Sequence, residues 1–253
     1  MRMRLSPPRV VLISFAAAIL IGSAVLSLPG MTVEPGSLPY VDALFTATSA
    51  VCVTGLITVD TATTFTPVGK VVLAILIQLG GLGIMTAATM LFVLAGRRIG
   101  LQSRLVVQET LGHVRLQGVI RLLLAILTMT VVCEGVGTLA LAADLAAHHD
   151  YPPLKALGYG AFHSVSAFNN AGFALFTTNL ESFRDDWIVT LTVAVLVIIG
   201  GLGFPVVLDL TRRRHGRLLL MQTKMVLLVT VGLLVLGTAA IVALEWGSAE
   251  FSG

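Results

Sequence analysis

The 253-residue chain is 56% hydrophobic and 11% charged, with a mean hydropathy of +0.96 and a formal net charge of +3. Soluble domains carry about 25% charged residues, and the apolar residues here come in long blocks, which excludes a soluble globular domain and implies an integral membrane protein. The positive balance argues for contact with anionic lipid or an acidic partner and not with nucleic acid. The two cysteines, Cys52 and Cys133, have no paired context and suggest neither a disulfide framework nor a metal site.

The first apolar block, Val10–Leu28, follows Arg2, Arg4 and Arg9 as a signal peptide would. Its apolar core is long and no A-x-A-like cleavage site follows, so it reads as a retained span. Pro39 then opens a short helix through "YVDALFTATSA", which runs into "VCVTGL". The second block, Val68–Ala95, carries "GGLG" at Gly80–Gly83. The basic segment Arg97–Arg121 has Leu101, Leu105, Leu111, Val114 and Ile120 at helical spacing and reads as an interfacial amphipathic helix.

The third block, Val119–Ala143, contains Glu134. Pro153 opens a second short helix, "LKALGYGAFHSVSA", ahead of "FNNAGF". The fourth block, Trp187–Leu208, repeats "GGLG" at Gly200–Gly203 and is followed by Asp209 beside Arg212–Arg214, a local ion pair. Met225–Leu244 is the fifth block, and "EWGSAEFSG" leaves it. Each block is near or above the roughly 20 residues that a helix needs to cross a bilayer.

Charge sets an expected topology. Of the 16 Lys and Arg, all but Lys70, Lys155 and Arg184 lie before the first block, in Arg97–Arg121 or in Arg212–Lys224. The positive-inside rule places those three segments and the N-terminus in the cytoplasm, with five alternating spans. The opposite face collects Glu34, Asp42, Asp60, Asp144, Asp150, Glu181, Asp185 and Asp186, which would concentrate cations or serve as ordinary solvated loops.

The chain repeats itself. "FTATSAVCVTGL" (Phe45–Leu56) aligns without gaps on "FHSVSAFNNAGF" (Phe162–Phe173) at an offset of 117, and the two "GGLG" runs follow at an offset of 120. Two matches in the same order indicate a duplicated unit. Each unit reads span, short outer helix, glycine loop, span; an even number of spans makes the copies parallel. The expected divisions are a first unit at 1–96, a cytoplasmic linker at 97–118, a second unit at 119–210, a linker at 211–224 and the start of a third unit at 225–253. The short helices are too short to span and are read as re-entrant. Non-helical backbone at membrane depth is tolerated where it is buried or lines water. The glycine loops are therefore expected to line a path, with carbonyls replacing the hydration shell of a cation and the helix C-termini turned toward it.

A span–pore-helix–filter–span unit repeated along one chain resembles the Trk/Ktr/HKT superfamily of potassium transporters. "TATSAVCVTGL" and "SAFNNAGF" resemble its first and second filter segments, and "IQLGGLGIMT" the start of its first unit's second span. The resemblance covers essentially the whole chain and implies an all-α, potassium-channel-like membrane fold. It implies an ion filter made of Cys52, Val53, Thr54 and Gly55 with Asn169, Asn170, Ala171 and Gly172. Gly55, where sodium-preferring plant relatives carry serine, favours potassium on the same grounds. The resemblance further implies a cytoplasmic ring of nucleotide-binding regulatory subunits, a homodimer of complete pores, and a place in the inner (cytoplasmic) membrane of a bacterium. A complete pore in this family has four units, so a third filter, a fourth unit with its basic residue and a gating loop are wanting, and the expectation is a fragment.

The expected function is potassium uptake by a pore-forming subunit, with no cofactor and no covalent chemistry. Ser49 and Ser166 lack a base in fixed relation, and no His/Cys/Asp cluster has metal-ligand spacing. Glu134 reads either as a cation-attracting group or as a structural hydrogen-bond partner of a neighbouring span, the latter preferred. His163 is expected to pack and not to sense pH. The glycines of the two "GGLG" runs read as close-packing positions in preference to hinges. Two rivals remain: a non-conducting regulatory or assembly subunit, and an intramembrane enzyme using Glu134 or His163. The second leaves the duplication unexplained, since Thr46 stands where His163 does in the other copy.

Overall fold

The computed structural model describes residues 7–36, 38–96, 116–211 and 219–246, with side chains at 12–36, 38–83, 124–211 and 219–246. Among the described residues the protein is all helix, with one isolated bridge between Thr32 and Phe65. The helices are α1 (Pro7–Leu26), α2 (Tyr40–Val51), α3 (Thr61–Thr64), α4 (Pro67–Gly96), α5 (Leu116–His148), α6 (Pro153–Phe168), α7 (Trp187–Leu202), α8 (Phe204–Thr211) and α9 (Met221–Glu245). Most of the segment expected to form a basic amphipathic helix lies outside the described residues; its last part, Leu116–Arg121, is the start of α5.

By length and hydropathy, Leu124–His148 and Met221–Glu245 are long and apolar enough to cross a membrane. The fourth apolar block differs from expectation. It is two helices, α7 and α8, parted at Gly203, whose φ of +78° is a left-handed conformation that glycine adopts without strain. Helices that are apolar all round belong in a membrane or a large core. Leu228, Leu233, Leu236 and Leu244 on α9 are all strongly exposed, so the protein is a membrane protein.

The residues to Gly201 form one compact unit and those from Leu202 another. In the first, α1, α2 and α4 pack together around Leu26, Ala47, Val51, Leu73 and Ile77. The alanines of α2 allow this closeness: Ala43, Ala47 and Ala50 are fully buried. Helix α6 lies against α5 in the same way. A Cβ on Gly160 would stand 2.8 Å from the Thr138 carbonyl oxygen of α5. Phe162, Phe173 and Leu175 join the first cluster, tying α6 and the loop after it to α2 and α4.

The two short helices start alike. Pro39 (φ −56°, ψ 146°) precedes α2, and Pro152 (φ −53°, ψ 139°) precedes α6, whose first residue is also proline. Proline fixes the entering φ and lacks the N–H that a first turn would leave unpaired. In the second unit, Asp209 Oδ2 accepts the Leu220 N–H (3.0 Å), so its carboxylate ties α8 to the entry of α9; the arginines expected to pair with it lie outside the described residues.

Candidate functional site

Both short helices end in the same motif. After α2, Cys52 (φ −85°, ψ 0°) is followed by Val53 at φ +54°; the Val53 N–H donates to the Ala50 carbonyl (3.3 Å) and the Thr54 N–H to the Ser49 carbonyl (2.9 Å). After α6, Asn169 (φ −81°, ψ −1°) is followed by Asn170 at φ +58°; the Asn170 N–H donates to Ala167 (3.0 Å) and the Ala171 N–H to Ser166 (2.7 Å). This is the Schellman pairing, which satisfies the last helical carbonyls and turns the chain sharply. Two residues on, Gly55 (φ +78°) and Gly172 (φ +75°) are again left-handed.

The consequence is a set of carbonyls left unpaired among the described residues. The last helical carbonyls are taken up by the turn itself, which leaves the loop backbone unpaired by it. None of the carbonyl oxygens of residues 52–55 and 169–172 accepts a hydrogen bond from a described residue. The loops meet at their glycines. A Cβ on Gly55 would stand 2.7 Å from the Ala171 carbonyl oxygen and 3.2 Å from the Gly172 Cα. Cys52, Thr54, Asn170 and Gly172 are exposed, while Asn169 and Ala171 are buried.

The glycine runs make the loops possible. A Cβ on Gly80 would collide with the Val51 carbonyl oxygen, and one on Gly200 with the Phe168 carbonyl oxygen. These are the last helical residues of α2 and α6, at the repeat offset of 117. The glycines therefore act as close-packing positions beneath each turn.

The Asn169 amide nitrogen donates to Glu134 Oε1 (3.1 Å), Gln78 Oε1 (3.3 Å) and the Val165 carbonyl (2.9 Å). Ser164 Oγ donates to the Glu134 carbonyl (2.7 Å). Glu134 thus takes the structural role, and the network joins α4, α5 and α6 directly under the second loop. The Asn169 side chain is buried in this network through its nitrogen, while its Oδ1 has no partner among the described residues. With its amide nitrogen toward the Val197 carbonyl (3.2 Å) and its oxygen toward the Gly201 N–H (3.3 Å), Asn170 engages the two groups that an intact helix would pair at i and i+4.

His163 has both ring nitrogens engaged. Its Nδ1–H donates to the Tyr159 carbonyl (2.7 Å) and its Nε2 accepts the Leu175 N–H (3.1 Å), which defines a neutral tautomer; the ring stacks on Phe176 at 4.7 Å. Ser166 Oγ donates to the Phe173 carbonyl (2.7 Å). Gln78 escaped the sequence reading, although a glutamine two residues before a glycine run inside an apolar block is a visible signal. The titratable residues that converge elsewhere, Asp144, His149 and Asp186, stand at the ends of α5 and α7.

The family model described as "TrkH: Cation transport protein" matches residues 12–245. The chain belongs to this family. It is 39% identical over 245 residues to the Ktr system potassium uptake protein B of Bacillus subtilis, a match covering 97% of this chain and 54% of that protein. It is 41% identical over 240 residues to the Ktr system potassium uptake protein B of Vibrio alginolyticus, covering 94% and 52%. It is 36% identical over 236 residues to the potassium/sodium uptake protein NtpJ of Enterococcus hirae, covering 93% and 52%. The chain spans about half the length of these curated relatives.

Proposed function

We propose that this chain supplies two filter-bearing units of a potassium uptake pore. In this reading α1, α2 and α4 form the first span–pore-helix–filter–span unit. Helices α5, α6 and α7 form the second, and α9 opens a third. The protein is multi-pass with its N-terminus in the cytoplasm. The observation that carries the reading is the pair of loops Cys52–Gly55 and Asn169–Gly172, alike in backbone turn, meeting at their glycines, with carbonyl oxygens that accept no hydrogen bond from a described residue. The relatives' names, which give potassium uptake, supply the ion.

Carbonyl oxygens can replace the hydration shell of a potassium ion. Left-handed residues at the second and fourth positions of each loop reverse the peptide planes between them, letting more than one carbonyl face the same side. The Asn169–Glu134–Gln78 network holds the second loop from beneath. Further units complete the pore, two complete pores form a homodimer, and a cytoplasmic ring of nucleotide-binding subunits regulates it. These partners follow from the resemblance to Trk/Ktr systems, two relatives being named as parts of a Ktr system.

Rubidium uptake into potassium-starved cells lacking their own uptake systems tests the reading. The chain would be compared with a chimera completed by the C-terminal half of a relative. Uptake by the chimera, with Gly55→Ser shifting its preference from potassium toward sodium, is expected. No uptake by either form, with both present in the membrane, would move the assignment to a non-conducting assembly subunit.

A further inference from the structure

The end of α5 and the start of α7 bring together three residues far apart in sequence. Asp144 lies in the last turns of α5, His149 just follows that helix, and Asp186 directly precedes α7. His149 Nε2 is 2.8 Å from Asp186 Oδ2 and 3.7 Å from Asp144 Oδ2, and the three potential ligand atoms lie within 4.8 Å of one another. Each carboxylate is anchored by one oxygen and offers the other. Asp186 Oδ1 accepts the N–H groups of Ile188 (2.9 Å) and Val189 (3.2 Å), capping α7. Asp144 Oδ1 accepts from His148 Nδ1 (2.9 Å).

The remaining oxygen of Asp144 is the anomaly. Its side chain is 2% exposed, and among the described residues Oδ2 accepts no N–H or O–H; it faces His149 at 3.7 Å and the Asp186 carboxyl, so two acids are turned toward each other across the cluster. A buried, unpartnered carboxylate oxygen is costly to leave unmade. One N–H on His149 is already given to Asp186 and cannot satisfy both acids.

We infer that Asp144 Oδ2, His149 Nε2 and Asp186 Oδ2 form a site for a divalent transition-metal ion of the zinc type, with solvent as a fourth ligand. One imidazole with two carboxylates suits Zn2+ or Co2+, whereas Mg2+ and Ca2+ favour oxygen alone. Ligand distances of about 2.0–2.2 Å imply ligand–ligand separations of roughly 3.3 Å in a tetrahedral site. The observed 2.8 and 3.7 Å bracket that value. His148 and the α7 amides hold the carboxylates from behind, as second-layer partners do in metal sites, and the edge of Phe183 steadies the His149 ring at 4.8 Å. His149 and Asp186 are 29% and 14% exposed, which gives an ion its access path. A bound ion joins the end of α5 to the start of α7 and so clamps both ends of the stretch that carries α6 and its loop. It is a structural site, independent of whether the loop conducts.

Cobalt titration tests this directly. The full chain is purified in detergent with a histidine-free tag, stripped with chelator and titrated with Co2+. One ion per chain is expected, with the visible absorption of tetrahedral cobalt and displacement by Zn2+. His149→Gln and Asp144→Asn should abolish the signal, and Asp185→Asn, a highly exposed neighbour, should keep it. Size-exclusion profiles establish that the variants are folded. Should a variant fail to fold, X-ray absorption of the zinc-loaded wild type decides: one imidazole with oxygen ligands supports the site, and sulfur or several imidazoles overturn it. Absence of the cobalt spectrum in the wild type, or equal binding by folded variants, would also overturn it and leave a cluster held by hydrogen bonds alone.

Discussion

The two glycine loops share a backbone and differ in what holds it. Cys52–Gly55 and Asn169–Gly172 have matching left-handed positions and matching helix-end bonds. Beneath the second loop, side chains of α4, α5 and α6 and the backbone of α7 are recruited: Asn169 to Glu134 and Gln78, Asn170 to α7, Ser166 and His163 to the segment that follows the loop. The corresponding positions of the first loop are Cys52, Val53, Ser49 and Thr46. There Thr46 Oγ1 and Ser49 Oγ are buried without a partner among the described residues, whereas in the second copy only Asn169 Oδ1 of these four side chains keeps such an unpartnered atom. The junctions near the second spans differ in the same direction. Thr66 Oγ1 donates to the Gly30 carbonyl (2.7 Å) and accepts from the Gly69 N–H, while 120 residues later Asp186 meets His149. One ancestral geometry is kept by apolar closeness in one copy and by polar bonding in the other.

The largest expected break comes from the second glycines of the two runs. A Cβ on Gly81 collides with the Asn169 amide, whereas one on Gly201 finds Asn170 atoms only at 3.9 Å. Gly81→Ala should destabilise by roughly 1–3 kcal/mol, the usual range for overpacking, and Gly201→Ala by much less. Thermal unfolding midpoints of the two variants in the same detergent decide it; equal losses would mean that the Asn169 network is not specific to the second loop.

The serines are next. Ser166→Ala leaves the Phe173 carbonyl without its hydroxyl donor, a loss of about 1–3 kcal/mol for an unsatisfied buried acceptor. Ser49→Ala removes a hydroxyl that has no partner and should be neutral or slightly stabilising. A smaller effect of opposite sign belongs to Val53. A β-branched residue at φ +54° is strained, and asparagine tolerates that region better. Val53→Asn, which copies Asn170, should therefore stabilise by on the order of 1 kcal/mol. A drop in the unfolding midpoint of Val53→Asn would show that Val53 packing outweighs its backbone strain.

The sequence made some of this legible and hid the rest for physical reasons. Pro39 and Pro153 announce where the short helices begin, because proline acts locally through its own φ. The offsets of 117 and 120 mark the matching turns, because a Schellman ending needs only a few neighbouring residues. The glycine runs were readable as contacts, but their partners, Val51 and Phe168, were not. The break at Gly203 was hidden inside a continuous apolar block, since hydropathy is blind to φ. Asp144, His149 and Asp186 carry no spacing signal, because the path from α5 through α6 to α7 brings them together. No metal-ligand spacing is therefore visible in the sequence where the fold assembles three candidate ligands.

The smallest effect concerns the outer loops, where the polarity of the comparison reverses. Asp60 of the first copy accepts the Ala62 N–H (2.8 Å) and caps α3, whereas the second copy has the neutral pair Thr178 and Ser182 at 2.8 Å. Burial pushes the Asp60 carboxyl up, but the Ala62 N–H and the hydroxyls of Thr177 and Thr63 outweigh it and hold it below the ordinary carboxylate range. A carboxyl lowered on folding stabilises the fold above its unfolded value, about 3.9, and that contribution fades as pH falls through the folded value. The unfolding midpoint should therefore decline on acidification below about pH 4, and Asp60→Asn should flatten part of that decline. Thr178→Val should leave the slope unchanged, because a hydroxyl pair has no proton to gain. An acid slope that survives Asp60→Asn intact would assign it to other carboxylates and remove this difference between the copies.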